Sequence, residues 1–418
     1  MDAKEIIREL AQAARGAAGV LAGSRGAQRD EALRSCAEAI RAGKDRLQAE
    51  NEKDLARAGE LGLTEAMIDR LRLTDARIEA MAVGLEEIAA QTDPVGQAIC
   101  AYNRPNGLRI EKRRCPIGVI GIVYESRPNV TADAAGLCLK SANACILRGG
   151  KEAIHSNLAI AAVLREGLAG ANLPAECVTV LESTDRAMVP AMATAEGLID
   201  LIIPRGGESL IRAVAEAATI PVIKHYNGVC HVYVHADADL KMAEKIVLNA
   251  KCQRPGVCNA AETLLVDAAV AQAFLPGAAE ALRRNKVELR GCEKSRALVP
   301  DMKTAAEDDW RAEYLDLILA VRVVDGLEAA VEHINTYGSK HTDAIITGNL
   351  VAAERFVTAV DSASVMVNAS TRFSDGAQYG LGAEIGISTD KLHARGPMGA
   401  EDLTTYKWIV TGAGHIRE

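Results

Sequence analysis

The chain has 418 residues, and its 48 basic and 56 acidic side chains give a formal net charge of −8. This length suits two or three domains of roughly 100–200 residues each, and the content of 49% hydrophobic and 25% charged residues is typical of globular proteins and excludes disordered and fibrous classes. The negative charge and an aromatic content of only 3% also argue against nucleic acid as a partner, because phosphate binding needs a basic face and base stacking needs rings.

The amino-terminal residues and the cysteines indicate the compartment. Asp2, Lys4 and Glu5 stand where a signal peptide would carry a basic start and an apolar stretch, so the sequence predicts no targeting segment. No charge-free apolar run approaches the ~18 residues of a membrane span. The ten cysteines are scattered and never form CxxC, which argues against a disulfide scaffold and a zinc site. We therefore expect a cytoplasmic protein with no membrane partner and no bound metal.

Residues 1–95 are rich in Ala, Leu, Arg and Glu, and we expect a group of amphipathic helices there. Between Glu31 and Leu47, for example, apolar residues recur near the helical period. The composition then changes. Residues 102–107 (YNRPNG) are typical of a turn, and residues 108–115 alternate as an exposed basic strand that faces either solvent or another subunit.

Residues 116–226 alternate between short apolar strands and helical stretches. The predicted strands are 117–124, 144–147, 177–181 and 198–203. Helical patterns lie at 131–140 and 153–169 and also follow the last strand. This alternation is typical of a parallel, doubly wound α/β sheet with right-handed crossovers. We therefore predict an α/β domain of the nucleotide-binding type in this half of the chain.

A second α/β unit follows residue 226. Asp237 and Asp239 are positioned to cap a helix whose apolar face runs from Leu240 to Ala250. The strands predicted for the remainder of the chain are 263–266, 317–324, 344–347, 364–367 and 404–411.

The same Arg-Gly-Gly sequence follows two of the predicted strands, at 148–150 and 205–207. Glycines between a strand and a helix let the backbone approach a ligand, and the helix amino terminus offers N–H groups to a phosphate. The arginines and Lys151 would add positive charge. Neither segment matches GxGxxG or a P-loop, and a tight turn alone would also explain the glycines. Their repetition at two strand ends of one sheet favours a dinucleotide site.

Cys258 lies in a loop between a predicted helix and a predicted strand, directly after residues 254–256 (RPG). A thiolate is a nucleophile, and a neighbouring cation or a helix amino terminus increases the thiolate fraction at working pH. From composition alone, an inert buried thiol is the alternative. His225, within 224–228 (KHYNG), is the candidate partner, although lone histidines are often structural.

A polar loop at 368–376 (NASTRFSDG) follows the predicted strand 364–367. Arg372 is suited to bind a carboxylate in bidentate fashion, while the hydroxyl groups and Asp375 would meet other polar groups. A turn rich in Asn, Ser and Asp, with no ligand, is the alternative.

Four segments resemble the γ-glutamyl phosphate reductase family, a branch of the aldehyde dehydrogenase superfamily. They are 121–131 (GIVYESRPNVT), 203–207 (IPRGG), 254–260 (RPGVCNA) and 367–373 (VNASTRF), and the similarity runs in order over essentially the whole chain. The resemblance implies an α/β, aldehyde dehydrogenase-like fold with two doubly wound parallel-sheet domains and a small β oligomerisation flap. The implied domains are a cofactor-binding domain (1–99 and 116–226), a catalytic domain (227–395) and the flap (100–115 and 396–418).

The resemblance also implies an activity, the NADPH-dependent reduction of L-glutamyl 5-phosphate to L-glutamate 5-semialdehyde in proline biosynthesis. The implied cofactor-binding residues are Arg148, Gly149, Gly150, Lys151, Arg205, Gly206, Gly207 and Glu313. The implied substrate-binding residues are Asn259, Ser370, Thr371 and Arg372. Arg148 takes the place of a lysine on the cofactor ribose, and Arg148 with Lys151 would pair with the 2′-phosphate of NADPH. Glu313 matches a glutamate at the nicotinamide ribose.

Cys258 matches the catalytic cysteine of the family, and His225 replaces the glutamate that serves as hydrolytic base in oxidising aldehyde dehydrogenases. An acyl phosphate has a good leaving group, so thiolate attack needs little base, whereas an activated water would hydrolyse the thioester. We expect a thioacyl enzyme on Cys258. Its oxyanion would be stabilised by the Cys258 N–H and by Asn129 or Arg127. Arg127 is also assigned to the phosphate and Arg372 to the anionic end of the substrate.

Two other functions account for parts of the pattern. A hydrolytic NAD(P)-dependent aldehyde dehydrogenase would need the missing glutamate base. A non-redox cysteine acyltransferase or hydrolase with a Cys258–His225 dyad leaves the glycine turns unexplained. The strands at 108–115 and 404–411 favour an intersubunit sheet, and therefore a homo-oligomer. Transient contact with glutamate 5-kinase is a further expectation, because the acyl phosphate is unstable.

Overall fold

The structure, a computed structural model, describes residues 2–125 and 127–417, so Ser126 of the segment 121–131 and the terminal Met1 and Glu418 lie outside the described residues. The chain forms two compact units. Unit 1 consists of Met1–Lys224, Gly380–Gly386 and Met398–Glu418, and unit 2 consists of His225–Tyr379 and Ile387–Pro397. The cofactor, catalytic and flap roles expected for the domains stay predictions.

The elements up to residue 224 are helical at first and then alternate. They are α1 (Ala3–Gly23), α2 (Gly26–Ala42), α3 (Lys44–Ala56), α4 (Glu65–Leu71), α5 (Asp75–Ala90), β1 (Ala98–Asn103), β2 (Arg109–Pro116), β3 (Val119–Tyr124), α6 (Asn129–Lys140), β4 (Ala144–Arg148), α7 (Ile154–Gly170), β5 (Val178–Val180), α8 (Met188–Ala193), β6 (Leu201–Arg205) and α9 (Glu208–Ala217).

The remaining elements belong mainly to unit 2. They are β7 (Cys230–Val234), α10 (Leu240–Cys252), β8 (Ala261–Asp267), α11 (Ala268–Arg284), β9 (Glu288–Gly291), α12 (Glu293–Leu298), β10 (Lys303–Thr304), β11 (Ile318–Val324), α13 (Leu327–Tyr337), β12 (Thr342–Ile346), α14 (Leu350–Ala359), β13 (Ser364–Val367), β14 (Gly386–Ser388), β15 (Gly396–Met398) and β16 (Thr404–Thr411). Strands β14 and β15 pair with each other.

The helical stretch between Glu31 and Leu47 is divided at Gly43, which ends α2 and precedes α3. The apolar residues expected on one face, such as Leu33, Cys36 and Ile40, are fully buried. Helix α2 packs against both α5 and α7. Helix α1 packs on strands β3 to β5 and on α8, whereas α3 packs on α7 and α5 packs on α6. The amino-terminal helices are therefore part of unit 1 rather than a separate domain.

Unit 1 contains a parallel sheet in the order β5-β4-β3-β6. Strand β3 is buried at every residue, as expected for a strand covered on both faces. The chain passes from β3 outward to β4 and β5 and then returns to the other side of β3 with β6. This reversal of strand order confirms the predicted doubly wound arrangement, and ligands of such sheets bind outside the carboxyl ends of the strands at the reversal.

A second sheet of unit 1 is antiparallel, in the order β1-β2-β16. The predicted exposed strand at 108–115 is its central strand, flanked on both sides, and Glu111 within it is buried. The prediction of a turn over 102–107 was partly wrong, because Tyr102 and Asn103 end β1 and pair with Ile110 and Arg109.

Unit 2 contains a seven-stranded sheet in the order β10-β9-β11-β8-β7-β12-β13, and all of its neighbouring strands are parallel. Apolar residues on one side of this sheet form a core with α10 and α11, and a second core contains Tyr233, Leu265 and Phe356. Asp239 caps α10 as predicted, since its carboxylate accepts hydrogen bonds from the N–H groups of Lys241 and Met242.

None of the helices within residues 2–125 and 127–417 combines the length and the apolar character needed to cross a membrane.

Candidate active site

Cys258 lies in the loop between α10 and β8 of unit 2, where its side chain is half-buried. The thiol of Cys230, at the start of β7, donates a hydrogen bond of 3.2 Å to the Cys258 carbonyl oxygen. The Ala260 N–H bonds to the Val257 carbonyl at 3.0 Å and closes a tight turn around the cysteine. The loop is therefore fixed from both sides, with the sulfur left partly accessible.

Gly228 packs directly against the backbone of Cys258. A Cβ placed on Gly228 would lie 2.7 Å from the Cα of Cys258, closer than real atoms approach. The Gly228 N–H donates a hydrogen bond of 2.8 Å to the Glu313 carboxylate. Glu313, expected at the cofactor ribose, thus also holds the segment that supports the nucleophile loop.

A buried ion pair supports the loop that carries Glu313. Lys251 and Glu262 are both inaccessible, and their side chains lie 2.6 Å apart. The other oxygen of Glu262 accepts a hydrogen bond of 3.1 Å from the Leu315 N–H. Burial raises the pKa of Glu262 to about 7, and the charge of Lys251 acts in the opposite direction. Glu262 is only four residues beyond Cys258, but both of its carboxylate oxygens are engaged in these structural contacts.

Two histidines lie beside Cys258. The nitrogen of His225, the sulfur of Cys258 and a ring nitrogen of His341 all lie within 4.8 Å of one another. His225 was the partner expected from the sequence. His341, which directly precedes β12 and is fully buried, was not expected there. Its Nδ1 lies 2.9 Å from the Thr342 hydroxyl, which fixes the orientation of the ring.

Arg372 reaches the segment on either side of the nucleophile. Its guanidinium donates to Gln253 Oε1 at 2.8 Å and to Asn259 Oδ1, and Asn259 in turn donates to the Ser374 carbonyl at 2.8 Å. Burial lowers the pKa of Arg372, and the charge of Arg254 lowers it further, while Asp375 and Cys258 raise it. Arg372 and Asn259, predicted separately as substrate residues, are therefore in direct contact.

Positive charge accumulates beside the nucleophile. Among the described residues, neither Arg254 nor Arg372 forms an ion pair with a carboxylate. Arg254 is exposed and Arg372 is half-buried. The charge of Asp375 acts on Arg372 without forming an ion pair with it, and two guanidinium groups so close together favour an anion at this place.

The polar loop after β13 is held mainly by its own side chains. The Ser370 hydroxyl accepts a hydrogen bond of 3.3 Å from the Arg372 N–H and caps a short turn. The Asn368 side-chain amide accepts a hydrogen bond from the Thr347 N–H and donates one to the Thr347 carbonyl oxygen. Thr371 is fully buried, and within the part of the chain that the structure describes its hydroxyl has no hydrogen-bond partner. Ser370 thus orients Arg372, and a direct contact of Ser370 or Thr371 with substrate stays a prediction.

In unit 1 the two Arg-Gly-Gly segments lie on either side of the end of β3. Arg148 ends β4 opposite Val123, and Arg205 ends β6 opposite Tyr124. Residues 205–207 therefore lie at the reversal of strand order, where dinucleotides bind in doubly wound sheets. The Gly207 N–H at the start of α9 donates a hydrogen bond of 3.0 Å to the carboxylate of Glu125. This amide already holds an anionic group, as a phosphate-binding helix start would.

Arg148 is buried, and its Nη2 donates a hydrogen bond of 3.2 Å to the Thr184 carbonyl. Its Nε has no partner among the described residues, and burial lowers the pKa of this guanidinium. A partnerless N–H on a buried cation fits the phosphate or ribose of a dinucleotide. Lys151, which is exposed, adds a further cation beside the end of β4.

Packing also restricts the glycines of the first Arg-Gly-Gly segment. A Cβ on Gly149 would lie 3.1 Å from the Asn157 side-chain carbon, and one on Gly150 would lie 2.5 Å from the Glu152 carboxyl carbon. A side chain at either position would require Asn157 or Glu152 to move, which is a different restriction from the tight turn that was the alternative interpretation of the sequence.

Arg127 and Asn129, the candidate oxyanion donors, lie at the start of α6 in unit 1. The Asn129 amide donates a hydrogen bond of 2.9 Å to Asp133 in its own helix, and Arg127 is half-buried. Cys258 belongs to unit 2. The roles of Arg127 and Asn129 at the Cys258 oxyanion accordingly stay predictions.

Three residues of these sites were not among the predicted site residues: Arg254, His341 and Glu125. Arg254 had a signal in the sequence, since it lies four residues before Cys258. His341 had none, because only the alignment of β12 with β7 brings the start of β12 to the cysteine. Glu125 follows β3 directly and was quoted only as part of a matching segment.

Comparison with known proteins agrees with this geometry. The chain matches the model of the aldehyde dehydrogenase family over residues 1–296. It is 54% identical over 412 residues to a γ-glutamyl phosphate reductase of Moorella thermoacetica, with 99% of each chain covered. It is 56% identical over 418 residues to a γ-glutamyl phosphate reductase of Geotalea daltonii, with 100% of each covered.

The crystal structure of γ-glutamyl phosphate reductase from Thermotoga maritima has the same fold, with a TM-score of 0.96 and 47% sequence identity. The match covers 98% of this chain and 99% of that one. The aldehyde dehydrogenase-like fold predicted from the sequence is therefore confirmed. The chain belongs to the aldehyde dehydrogenase family and, within it, to the γ-glutamyl phosphate reductases.

Proposed function

We propose that this protein reduces L-glutamyl 5-phosphate to L-glutamate 5-semialdehyde and phosphate with NADPH, the second step of proline biosynthesis from glutamate. The observation that carries the proposal is Arg372, which lies close to a half-buried cysteine and to a second guanidinium group, Arg254. Among the described residues neither arginine forms an ion pair with a carboxylate, although the charge of Asp375 acts on Arg372. The substrate brings a phosphate and an α-carboxylate, so two cations match its charge.

Cys258 acts as the nucleophile. Its thiolate attacks the γ-carbonyl carbon, the bond from that carbon to the phosphate oxygen breaks, and phosphate leaves with the electron pair, which gives a thioacyl enzyme. The hydride that reduces this thioester would come from a nicotinamide cofactor when it is bound. The carbon–sulfur bond then breaks, the aldehyde departs, and Cys258 returns as a thiolate. The Cys258 N–H, with Asn129 or Arg127, stabilises the oxyanion in both halves of the reaction.

Different arginines are assigned to the two anionic groups of the substrate. Arg372, held by Gln253 and Asn259, is oriented for the α-carboxylate of the substrate, with Ser370 and Thr371 beside it. Arg254, which is more exposed, suits the phosphate that leaves, and Arg127 serves the same group. His225, whose ring nitrogen lies within 4.8 Å of the Cys258 sulfur, is the candidate group to accept the thiol proton before attack.

Preference for NADPH is assigned to Arg148 and Lys151. The buried Arg148 has an Nε without a hydrogen-bond partner in the described part of the chain, and Lys151 adds charge at the same strand end. A 2′-phosphate would satisfy both. Gly206, Gly207 and Arg205, at the reversal of strand order, are assigned to the pyrophosphate.

A homo-oligomer is proposed through the antiparallel sheet of unit 1. One face of its edge strand β16 carries three exposed residues at alternate positions, Tyr406, Trp408 and Val410. Ile110 of β2 is paired with Val410 on one side and with Tyr102 of β1 on the other, so the exposed Tyr102 lies on the same face. Exposed aromatic residues on an edge strand favour continuation of the sheet by another subunit. Replacing Trp408 with Glu should reduce the assembled mass in size-exclusion chromatography with light scattering, whereas Leu392→Glu, also exposed, should leave it unchanged.

A cytoplasmic location and transient contact with glutamate 5-kinase follow from the same function, because the acyl phosphate hydrolyses readily. A pull-down between purified kinase and reductase during turnover would test the contact.

The reverse assay tests the function most broadly. Glutamate semialdehyde and NADP should give continuous NADPH formation only when inorganic phosphate is present, and no more than one NADPH per active site without it. Formation of glutamate without phosphate would instead identify a hydrolytic aldehyde dehydrogenase. Absence of NADP(H) binding, with acyl transfer retained, would favour a non-redox cysteine enzyme.

A further inference from the structure

Three metal-binding side chains converge beside the nucleophile although they are far apart in the sequence. His225 precedes β7, Cys258 lies between α10 and β8, and His341 precedes β12. Their ligand atoms lie within 4.8 Å of one another. No motif in the sequence indicates such a site, because metal sites are recognised from short ligand spacings. These ligands are brought together by the parallel pairing of β7 with β8 and with β12.

The geometry suits a four-coordinate ion. In tetrahedral zinc sites the sulfur and nitrogen ligands lie about 2.0–2.3 Å from the metal, so that neighbouring ligand atoms are about 3.3–3.7 Å apart. The cluster needs a movement of about 1 Å to reach this spacing, which small side-chain rotations of the half-buried His225 and Cys258 supply. One thiolate and two imidazoles leave a fourth position open.

The surroundings of the cluster hold two of the ligands in place. The His341 ring is fixed by the Thr342 hydroxyl at 2.9 Å, and ligating histidines are generally oriented by such a contact of the second ring nitrogen. The Cys258 backbone is fixed by Cys230 and by Gly228. The His225 and His341 rings meet edge to face at 5.6 Å between centroids, which leaves no side chain of another type between them.

We propose that His225, Cys258 and His341 form an inhibitory binding site for a thiophilic divalent cation, Zn²⁺ above all. The ion displaces the thiol proton of Cys258 and binds the sulfur and one nitrogen of each histidine, so no bond to the substrate carbonyl can form while it is bound. No electron transfer is involved. Hard cations such as Mg²⁺ and Ca²⁺ prefer oxygen ligands and should not bind. As an inhibitory mechanism, the proposal rests on the proposed role of Cys258 as nucleophile.

The charges around the site set its character. Arg372 is close to Cys258, and Arg254 is close to Arg372, so positive charge near the site opposes a dication. Binding should therefore be weaker than in a structural zinc site and reversible by a chelator. Acylation of Cys258 removes the thiolate ligand. Substrate and Zn²⁺ should therefore exclude each other.

Cobalt(II) provides a readout that does not depend on turnover. Titration of the purified protein with Co²⁺ should produce the intense visible bands of a tetrahedral ion and a near-ultraviolet thiolate-to-cobalt band, and Zn²⁺ should displace both. Cys258→Ser should abolish the thiolate band. His341→Gln and His225→Ala should each weaken Co²⁺ binding at least tenfold. His341→Gln retains a polar side chain of similar size, and a circular dichroism spectrum will verify its fold.

Cys292→Ser is the matched control, because Cys292 is another half-buried thiol of unit 2. Its cobalt spectrum should equal that of the parent protein. The proposal is overturned if no thiolate band forms, if the band survives Cys258→Ser, or if it vanishes in Cys292→Ser. Failure of the proposed function would appear separately, as continuous NADPH formation without phosphate in the reverse assay while the cobalt spectrum remained as expected.

Discussion

Gly228 lies against Cys258 so closely that a side chain at residue 228 has no room, since its Cβ would come within 2.7 Å of the Cys258 Cα. The same glycine donates its N–H to Glu313 at 2.8 Å. The position of the Cys258 backbone is therefore restricted by a residue that has no side chain.

Gly228→Ala should displace the Cys258 backbone and lower kcat by about 10²-fold or more, because a shift of about 1 Å at a reacting group has that effect. The far-ultraviolet circular dichroism spectrum should remain close to that of the parent protein. Gly277→Ala is the control, because a Cβ at that position of α11 meets nothing within 4 Å. Equal kcat values for Gly228→Ala and the parent protein would show that the Gly228–Cys258 contact does not position the nucleophile.

Arg372→Ala should lower kcat/KM to an extent that corresponds to a loss of about 2–4 kcal/mol of transition-state stabilisation. This is the range found when one member of a buried charge pair is removed. Arg372→Lys should recover only part of this loss, since an ammonium cannot reproduce the planar guanidinium that contacts Gln253 and Asn259. Steady-state kinetics with varied acyl phosphate measure both. Arg355→Ala, which breaks an exposed pair with Glu328, should leave kcat/KM unchanged. A parental kcat/KM in Arg372→Ala would exclude Arg372 from the substrate site.

Arg148→Ala should reduce the preference for NADPH over NADH more than it reduces activity with NADH, because the 2′-phosphate is the group that only NADPH carries. The ratio of kcat/KM for the two cofactors is the measurement. If that ratio does not change, Arg148 has the ribose or a structural role instead. Lys151→Ala, at the exposed neighbouring position, should shift the ratio in the same direction.

His333 should make unit 2 sensitive to acid. Burial, together with the charges of His231 and Arg322, lowers the pKa of His333 to about 2. Arg322 donates to its Nδ1 at 2.8 Å, so the neutral ring carries its proton on Nε2. Below pH 6.5 the unfolded chain binds a proton that the folded protein does not, so stability falls as the pH decreases from about 6.5 towards 2.

When the pH is lowered from 8 to 5, the free energy of unfolding should decrease by up to about 2 kcal/mol because of this histidine. Urea unfolding at the two pH values is the measurement, and His333→Gln should show the smaller difference between them. His415→Gln, at an exposed position, should behave like the parent protein. An equal pH dependence in parent and His333→Gln would contradict the assignment.

Local sequence patterns predicted the sheets well. The apolar run at 117–124 became the fully buried β3, and Asp239 capped α10, because burial on both faces and helix capping depend on near neighbours in the chain. The parallel, doubly wound class followed from the alternation of strands and helices. The order of the strands, and thus the position of residues 205–207 at the reversal, is seen only in the structure.

Contacts between distant segments were not predictable in the same way. His341 and Gly228 reach Cys258 only through the pairing of β7 with its neighbours, and no pattern near either residue marks this. The antiparallel sheet of unit 1 joins β2 to β16 from the far end of the chain, so the strand at 109–116 was taken for an exposed strand although it is central. Pairing partners of this kind are fixed by the whole fold rather than by local sequence.

The most direct test of the central claim is mass spectrometry of the acylated enzyme. Incubation with glutamate semialdehyde and NADP in the absence of phosphate leaves the thioacyl group without an acceptor, and digestion then locates the adduct. We predict one glutamyl group on the peptide that contains Cys258, and its loss when phosphate is added. A glutamyl adduct on another side chain, or no adduct in an enzyme that forms NADPH, would contradict the account.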